Sequence, residues 1–106
     1  MKAEHFAIET ESSGQLTGLR WGSSTDTPVL ALHGWMDNAA SFSPLAAFLP
    51  GVQLLALDLP GHGASDHRPQ GARYHLIDYV PAVLEAADAL GLASMMIIGH
   101  SLGGAI

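Results

Sequence analysis

The sequence has 106 residues, 48% of them hydrophobic and 13% charged, with a formal net charge of −6 and no cysteine. This length allows one hydrophobic core, and the apolar fraction is too high for an intrinsically disordered chain. The acidic balance argues against nucleic acid and anionic lipid as partners, and the lack of cysteine excludes disulfides, a thiolate nucleophile and cysteine-based metal sites.

A β-hairpin is predicted at the start of the chain. Residues 4–10 ("EHFAIET") and 15–21 ("QLTGLRW") alternate between apolar and polar side chains, which is typical of half-buried strands. The intervening "ESSG" predicts a turn at Ser13 and Gly14. Such a hairpin is a suitable first element of a mixed sheet.

Three later segments are predicted to be buried strands. They read "PVLALHG", "VQLLALDLPG" and "ASMMIIGHS", and they begin at residues 28, 52 and 93. Continuous apolar runs of this length are typical of strands that are covered on both faces in a parallel sheet.

A first helix is predicted between the first two of these strands, in "SFSPLAAFLPG". Ser43 is predicted as its N-cap and Pro44 as its first helical residue, because proline at that position has no hydrogen bond to lose. The helix is expected to end at Pro50 and Gly51.

A second helix is predicted over residues 74–91, "YHLIDYVPAVLEAADALG", with Gly91 as the C′ residue. Pro81 lies inside this pattern, so the helix is expected to start near it or to bend there. Strands that alternate with helices predict an α/β fold with a mainly parallel sheet, preceded here by the hairpin.

The clearest candidate site is "GHSLGG", where Gly99, Ser101 and Gly103 form a G-x-S-x-G pattern directly after the third buried strand. A serine on a tight turn from strand to helix has a strained backbone and an exposed hydroxyl, and the flanking glycines leave room for the neighbouring elements. The amides of the helix that comes next can face an anion formed at that hydroxyl.

A second candidate site segment, "LHGW", comes after the first buried strand. The loop after His33 and Gly34 can turn a backbone N–H toward the same end of the sheet, and acyl transfer needs two such donors for the developing oxyanion. The predicted pair is Trp35 N–H and Leu102 N–H.

These segments, together with "DLPGHGAS" after the second buried strand, resemble the α/β-hydrolase superfamily in its serine-hydrolase-like, esterase and epoxide-hydrolase branch. The resemblance implies that Ser101 is the nucleophile and that the backbone amides of Trp35 and Leu102 form the oxyanion hole. Related epoxide hydrolases and haloalkane dehalogenases carry an aspartate where Ser101 stands, so the serine favours acyl transfer on esters, thioesters or related bonds. No cofactor is implied.

In this family the catalytic acid and histidine follow the serine later in the chain. Residues 1–106 are therefore expected to be the N-terminal part of one hydrolase domain, with its C-terminal part missing and its apolar nucleophile strand left at a sheet edge. The chain alone is expected to be inactive and marginally soluble. The alternatives are a non-catalytic binding or association module and a ligand receptor that retains the serine.

The remaining candidates have supporting roles. Trp35, Met36 and His100 are predicted to line the substrate pocket, although Trp35 and Met36 fit packing against a lid equally well. Asp58 and Asp37 are expected to stabilise their own turns rather than to act as the triad acid. Structural support is also predicted for His33, Gly34, His62, Gly99 and Gly103.

His67 and His75 are predicted to face solvent, and the six histidines are too scattered to indicate a metal site. The apolar runs are shorter than a membrane span, and the N-terminus lacks the apolar core of a signal peptide. We therefore expect a cytoplasmic protein that acts on a small-molecule substrate and binds no membrane.

Overall fold

The computed structural model describes residues 2–66, 79–92 and 95–106. These residues form five strands, three helices and one 3₁₀ turn. In chain order they are β1 (Glu4–Thr10), β2 (Gly14–Trp21), β3 (Thr27–Leu32), the 3₁₀ turn Ala39–Phe42, α1 (Ser43–Ala46), β4 (Val52–Leu57), α2 (Tyr79–Ala89), β5 (Met96–Gly99) and α3 (Leu102–Ala105).

The strands form one mixed sheet in the order β1-β2-β4-β3-β5. The three apolar strands pair in parallel as predicted: β3 pairs with β4 on one side and with β5 on the other. The hairpin adds two antiparallel pairings, of β1 with β2 and of β2 with β4. The predicted α/β class is confirmed, and β3 and β5 bring their carboxyl ends to the same edge of the sheet.

Each face of the sheet carries its own apolar cluster, because successive residues of a strand point to opposite faces. Leu30 and Leu32 of β3 belong to the cluster that packs against α2. Val29 and Ala31 belong to the cluster that packs against the 3₁₀ turn and α1. The continuous apolar pattern of β3 thus has the predicted cause, which is burial on both faces.

The predicted hairpin is present, with Thr10 paired to Gly14 at its end and Glu4 paired to Arg20 at its start. Gly14 has a φ of 68°, a backbone conformation that glycine adopts without steric cost. This residue is the first of β2 and closes the turn as expected from the sequence.

The prediction for the first helix is wrong in its start and its length. Asn38, and not Ser43, caps this segment: its side chain accepts a hydrogen bond from Ala40 N–H at 2.9 Å and starts the 3₁₀ turn. Ser43 is already the first residue of α1, which ends at Ala46 instead of Pro50. The Ser-Pro signal was misread because the preceding 3₁₀ turn continues directly into the helix.

The second helix ends as predicted. Gly91 has a φ of 74° and donates its N–H to Asp88 O at 3.0 Å, and Leu92 N–H bonds Ala87 O at 2.9 Å. These two bonds form a Schellman motif with Gly91 at C′. Pro81 lies within α2, while the predicted residues 74–78 of this helix lie outside the described residues.

The prediction that the third apolar run is a strand buried on both faces is wrong, because Met96 and Ile97 of β5 are exposed. Among the described residues, the strand that leads to Ser101 lies at one edge of the sheet. In the part of the chain that the structure describes, β5 pairs only with β3. None of the described helices combines the length and apolar character that a membrane crossing requires.

Candidate active site at the carboxyl ends of β3 and β5

Ser101 lies on the turn between β5 and α3, exposed to solvent, with φ 55° and ψ −113°. Among the described residues, only Met36 and Ser101 are non-glycine residues with a positive φ. Such a conformation costs about 1–3 kcal/mol and persists only where the surrounding structure holds it. The strained strand-turn-helix backbone predicted around this serine is therefore present.

Close packing at two glycines holds this turn in place. A Cβ atom on Gly99 would lie 2.5 Å from Gly104 Cα, so the helix crosses directly over the end of β5. A Cβ atom on Gly103 would collide with the carbonyl of Leu32 and would lie 2.7 Å from its Cβ. A larger residue at either position would push α3 away from β3 or β5.

Backbone hydrogen bonds fasten the same turn to the end of β3. His100 N–H donates to Leu32 O at 3.0 Å, and Gly103 N–H donates to His33 O at 3.1 Å. A Cβ atom built on Gly34 would lie 3.3 Å from Ser101 Cβ. The loop after β3 therefore passes directly beside Ser101.

The two predicted oxyanion donors flank this point of contact. Trp35 follows Gly34, and Leu102 is the first residue of α3. Within the described residues neither backbone N–H donates a hydrogen bond to protein. Both donors thus remain available to an external acceptor, as an oxyanion hole requires.

His33 connects the loop after β3 to the turn after β4. Its Nε2 accepts a hydrogen bond from Leu59 N–H at 3.0 Å, and its Nδ1 lies 2.7 Å from Gly34 O. Because Nε2 is an acceptor, the ring proton belongs on Nδ1, which donates to Gly34 O. Burial lowers the pKa of His33, partly offset by this bond to Gly34, and the neutral ring is the form that both bonds require.

Asp58 lies at the start of the turn after β4 and is 8% exposed. Its carboxylate accepts hydrogen bonds from Thr17 Oγ1 at 2.7 Å, Ala39 N–H at 2.8 Å and Ala64 N–H at 3.4 Å. The bond to Ala64 spans the turn of Asp58 itself, as expected. The bonds to β2 and to the 3₁₀ turn were not predicted.

His62 lies in the same turn and is buried. Its ring centroid is 5.0 Å from that of His33 and 5.1 Å from that of Trp35, the latter in an edge-on arrangement. Its Nδ1 lies 3.0 Å from Pro60 O. These contacts give His62 a packed position against the loop after β3.

The predicted pocket residues are only partly brought together. Trp35 and Met36 are 57% and 79% exposed, and neither lines the cavity next to the end of β5. That cavity, of about 400 Å³, does include His100. Its lining consists of His33, Asp37, Ser41, Phe42, Leu45, Ile98, Gly99 and His100.

Asp37 borders this cavity and stabilises the 3₁₀ turn. Its Oδ1 accepts hydrogen bonds from the Ser41 hydroxyl and from Asn38 N–H. These two bonds lower the pKa of Asp37, the one from Ser41 more strongly. The carboxylate is therefore engaged locally and hydrogen-bonds no histidine among the described residues, as expected for a turn-stabilising role.

No described imidazole makes a hydrogen bond to the Ser101 hydroxyl. His67 and His75 lie outside the described residues. Within the described ranges there is also no group of three or more His, Cys, Asp or Glu side chains that could hold a metal ion. A base for Ser101 is therefore not among the contacts of this part of the chain.

Sequence reasoning missed the partners that hold this site together, chiefly Thr17 and Ser65. Ser65 Oγ accepts Thr17 N–H at 2.8 Å and donates to Asp58 O at 2.6 Å. Thr17 lies 41 residues from Asp58 in the chain. No local pattern links residues so far apart, so only the sheet pairing of β2 with β4 brings them together.

Comparisons with known proteins agree with the described fold. A family model described as the alpha/beta hydrolase fold matches residues 27–106. A serine hydrolase-like protein from Danio rerio is 47% identical over 92 residues, which cover 86% of this chain and 28% of that protein.

Two solved structures are similar as well. A hypothetical protein from Pseudomonas aeruginosa has a TM-score of 0.88 and 45% identity, covering 94% of this chain and 35% of its own. A mutant N-acyl homoserine lactonase complexed with N-hexanoyl homoserine has a TM-score of 0.86 and 31% identity, covering 98% of this chain and 38% of its own. The chain thus spans little more than a third, at most, of these three proteins.

Proposed function

Because this chain belongs to the α/β-hydrolase family, we propose that it supplies the nucleophile and the oxyanion hole of a serine hydrolase. The bond cleaved is an ester, a thioester or a related acyl bond. The observation that carries the proposal is the backbone of Ser101, which has φ 55° and ψ −113° on an exposed turn between β5 and α3. The strained turn leaves the Ser101 side chain exposed, where a substrate can reach it.

In the proposed reaction Ser101 Oγ attacks the carbonyl carbon of the substrate and loses its proton to a general base. The negative charge that develops on the carbonyl oxygen accepts hydrogen bonds from Trp35 N–H and Leu102 N–H. The leaving alcohol, thiol or amine takes up the proton as its bond to carbon breaks, and an acyl-enzyme remains on Ser101. Water then cleaves this ester and restores the serine hydroxyl.

The base and the acid that orients it are proposed to come from outside these 106 residues. His100 adjoins Ser101 in the chain but lines the cavity behind the turn together with Asp37 and Ser41. The chain covers only 28% of its Danio rerio relative, which leaves room for both groups in a protein of that length.

The similarity to the N-acyl homoserine lactonase supports acyl chemistry in particular, since a lactone is a cyclic ester. It supports the class of bond and not one substrate. We further propose that the protein acts on small molecules in the cytoplasm.

The proposal predicts that Ser101 reacts with a fluorophosphonate probe in the protein at its natural length, because this reagent labels only an activated serine. Ser101→Ala should abolish labelling and reduce the hydrolysis of short p-nitrophenyl esters by about 10³-fold or more. The control is Ser24→Ala, at an exposed serine in the turn before β3. Ser24→Ala should keep both the fluorophosphonate labelling and the ester hydrolysis.

The 106-residue polypeptide provides a second comparison in the same assays. We propose that this polypeptide binds the ester without hydrolysing it, because no described imidazole makes a hydrogen bond to Ser101. Ester hydrolysis by this polypeptide that Ser101→Ala removes would contradict this part of the proposal. Labelling of the natural-length protein that survives Ser101→Ala would contradict the whole.

A further inference from the structure

The loop that carries Trp35 is held at both of its ends by the turn after β4. At its start, His33 bonds both Gly34 O and Leu59 N–H. At its end, Ala39 N–H donates to Asp58 Oδ1 at 2.8 Å. Residues 34–39 therefore form a short span between two anchors on one rigid turn.

The anchor at Asp58 is a strong one. Asp58 is 8% exposed and Ala39 is 1% exposed, so their hydrogen bond is largely buried, and both residues also line a cavity. A bond from a backbone N–H to a buried carboxylate is about twice as strong as a neutral one, and a buried N–H without an acceptor is costly. The loop cannot leave Asp58 without exposing or orphaning Ala39 N–H.

The same carboxylate has a fixed orientation. Its other oxygen accepts the Thr17 hydroxyl at 2.7 Å and Ala64 N–H at 3.4 Å. Gly63 packs directly against it, because a Cβ atom there would collide with the carboxylate oxygens. Asp58 Oδ1 is thus aimed at Ala39 by contacts from β2 and from its own turn.

We propose that Asp58 is a positioning residue for the reaction at Ser101, acting through the loop 34–39 to hold Trp35 N–H where the oxyanion forms. This inference rests on the proposed function. An oxyanion donor acts mainly in the transition state, so a shift of this loop lowers kcat more than it raises KM. A residue that only supported the fold would lower stability and leave the kcat of the folded enzyme unchanged.

The test compares Asp58→Asn with Val83→Ala in the natural-length protein, well below the unfolding temperature of each variant. The Asn amide has one acceptor oxygen where the carboxylate has two, so Asp58→Asn places an N–H against Ala39 N–H or against Ala64 N–H. Val83→Ala truncates a buried side chain of α2, so it lowers stability and removes none of the contacts of Asp58 described above. We expect kcat to fall by about 10- to 100-fold in Asp58→Asn with little change in KM, and by less than about 3-fold in Val83→Ala.

Ala39→Pro tests the same link from the other side if Asp58→Asn does not fold. Proline lacks the N–H that Asp58 accepts, and it fits the first residue of a helical turn. Asn38 already has the extended backbone, φ −159° and ψ 175°, that a residue before proline prefers. This variant should show the same loss of kcat.

The outcomes separate the two proposals. A wild-type kcat in folded Asp58→Asn or Ala39→Pro would overturn the positioning role, as would an equal loss of kcat in folded Val83→Ala. A wild-type protein without Ser101-dependent hydrolysis would instead overturn the proposed function, and the positioning role with it.

Discussion

Two adjacent glycines of α3 show how strictly the site constrains single residues. Gly103 packs against the end of β3, where an added Cβ would collide with the carbonyl of Leu32. Gly104 has only ordinary contacts, the nearest being Gly99 O at 3.5 Å from an added Cβ. Both residues are glycines of α3, and they differ only in the side of the helix on which they lie.

Gly103→Ala should therefore destabilise the protein by about 1–3 kcal/mol through overpacking and should slow labelling of Ser101, since α3 must shift. Gly104→Ala should be neutral or should stabilise the protein by up to about 1 kcal/mol, because alanine favours the helix. Urea unfolding of the two variants measures both effects. Equal stability of the two would show that α3 does not pack on β3 as described.

The strand β5 is poorly buried. Met96 and Ile97 are 66% and 55% exposed, and in the described part of the chain the strand pairs only with β3. An exposed apolar edge strand presents unpaired backbone groups and is a template for association with another chain. Among the described residues, the predicted open edge at the nucleophile strand is present.

The 106-residue polypeptide should therefore self-associate, and Ile97→Lys should reduce this association, since a charged residue on an edge strand opposes pairing. Leu84→Lys is the matched control, because Leu84 is 60% exposed but lies on α2, away from the sheet edge. Sedimentation velocity over a concentration series measures the effect. If both lysine variants reduce association equally, general hydrophobicity and not the edge is responsible.

At the scale of the whole molecule, His33 makes stability depend on pH. The neutral ring links β3 to the turn after β4, and burial holds its pKa below the ordinary value of 6.5. The unfolded chain consequently takes up a proton near pH 6.5 while the folded chain does not. Stability is complete above this pH and falls as the pH decreases from 6.5 toward the lower pKa of the folded state.

The free energy of unfolding should decrease between about pH 7.5 and about pH 5.5, by at most about 1.4 kcal/mol per pH unit for this one proton. The decrease should be smaller in His33→Gln, which keeps a donor and an acceptor but does not titrate. His5→Gln, at an exposed position of β1, controls for the loss of one imidazole. An unchanged slope in His33→Gln would show that another group causes the dependence.

Local patterns predicted the elements well where a single feature decides the conformation. Gly91 ends α2 in the expected motif because few residues other than glycine adopt its φ of 74°. Side-chain alternation predicted the two strands of the hairpin. The first helix was misjudged because Ser43 and Asn38 are both good caps, and the choice between them depends on packing of the 3₁₀ turn under the sheet.

The sequence by itself determined the class of fold and the position of Ser101, because apolar periodicity and the G-x-S-x-G spacing are local properties of the chain. Only the tertiary structure decided that His33 and Asp58 anchor the two ends of the loop 34–39. The two anchoring bonds, of His33 with Leu59 and of Asp58 with Ala39, join residues that are 26 and 19 positions apart in the chain. Contacts between residues so far apart depend on the order of the strands in the sheet and on which residues are buried. The whole sequence decides both, and no single local pattern shows them.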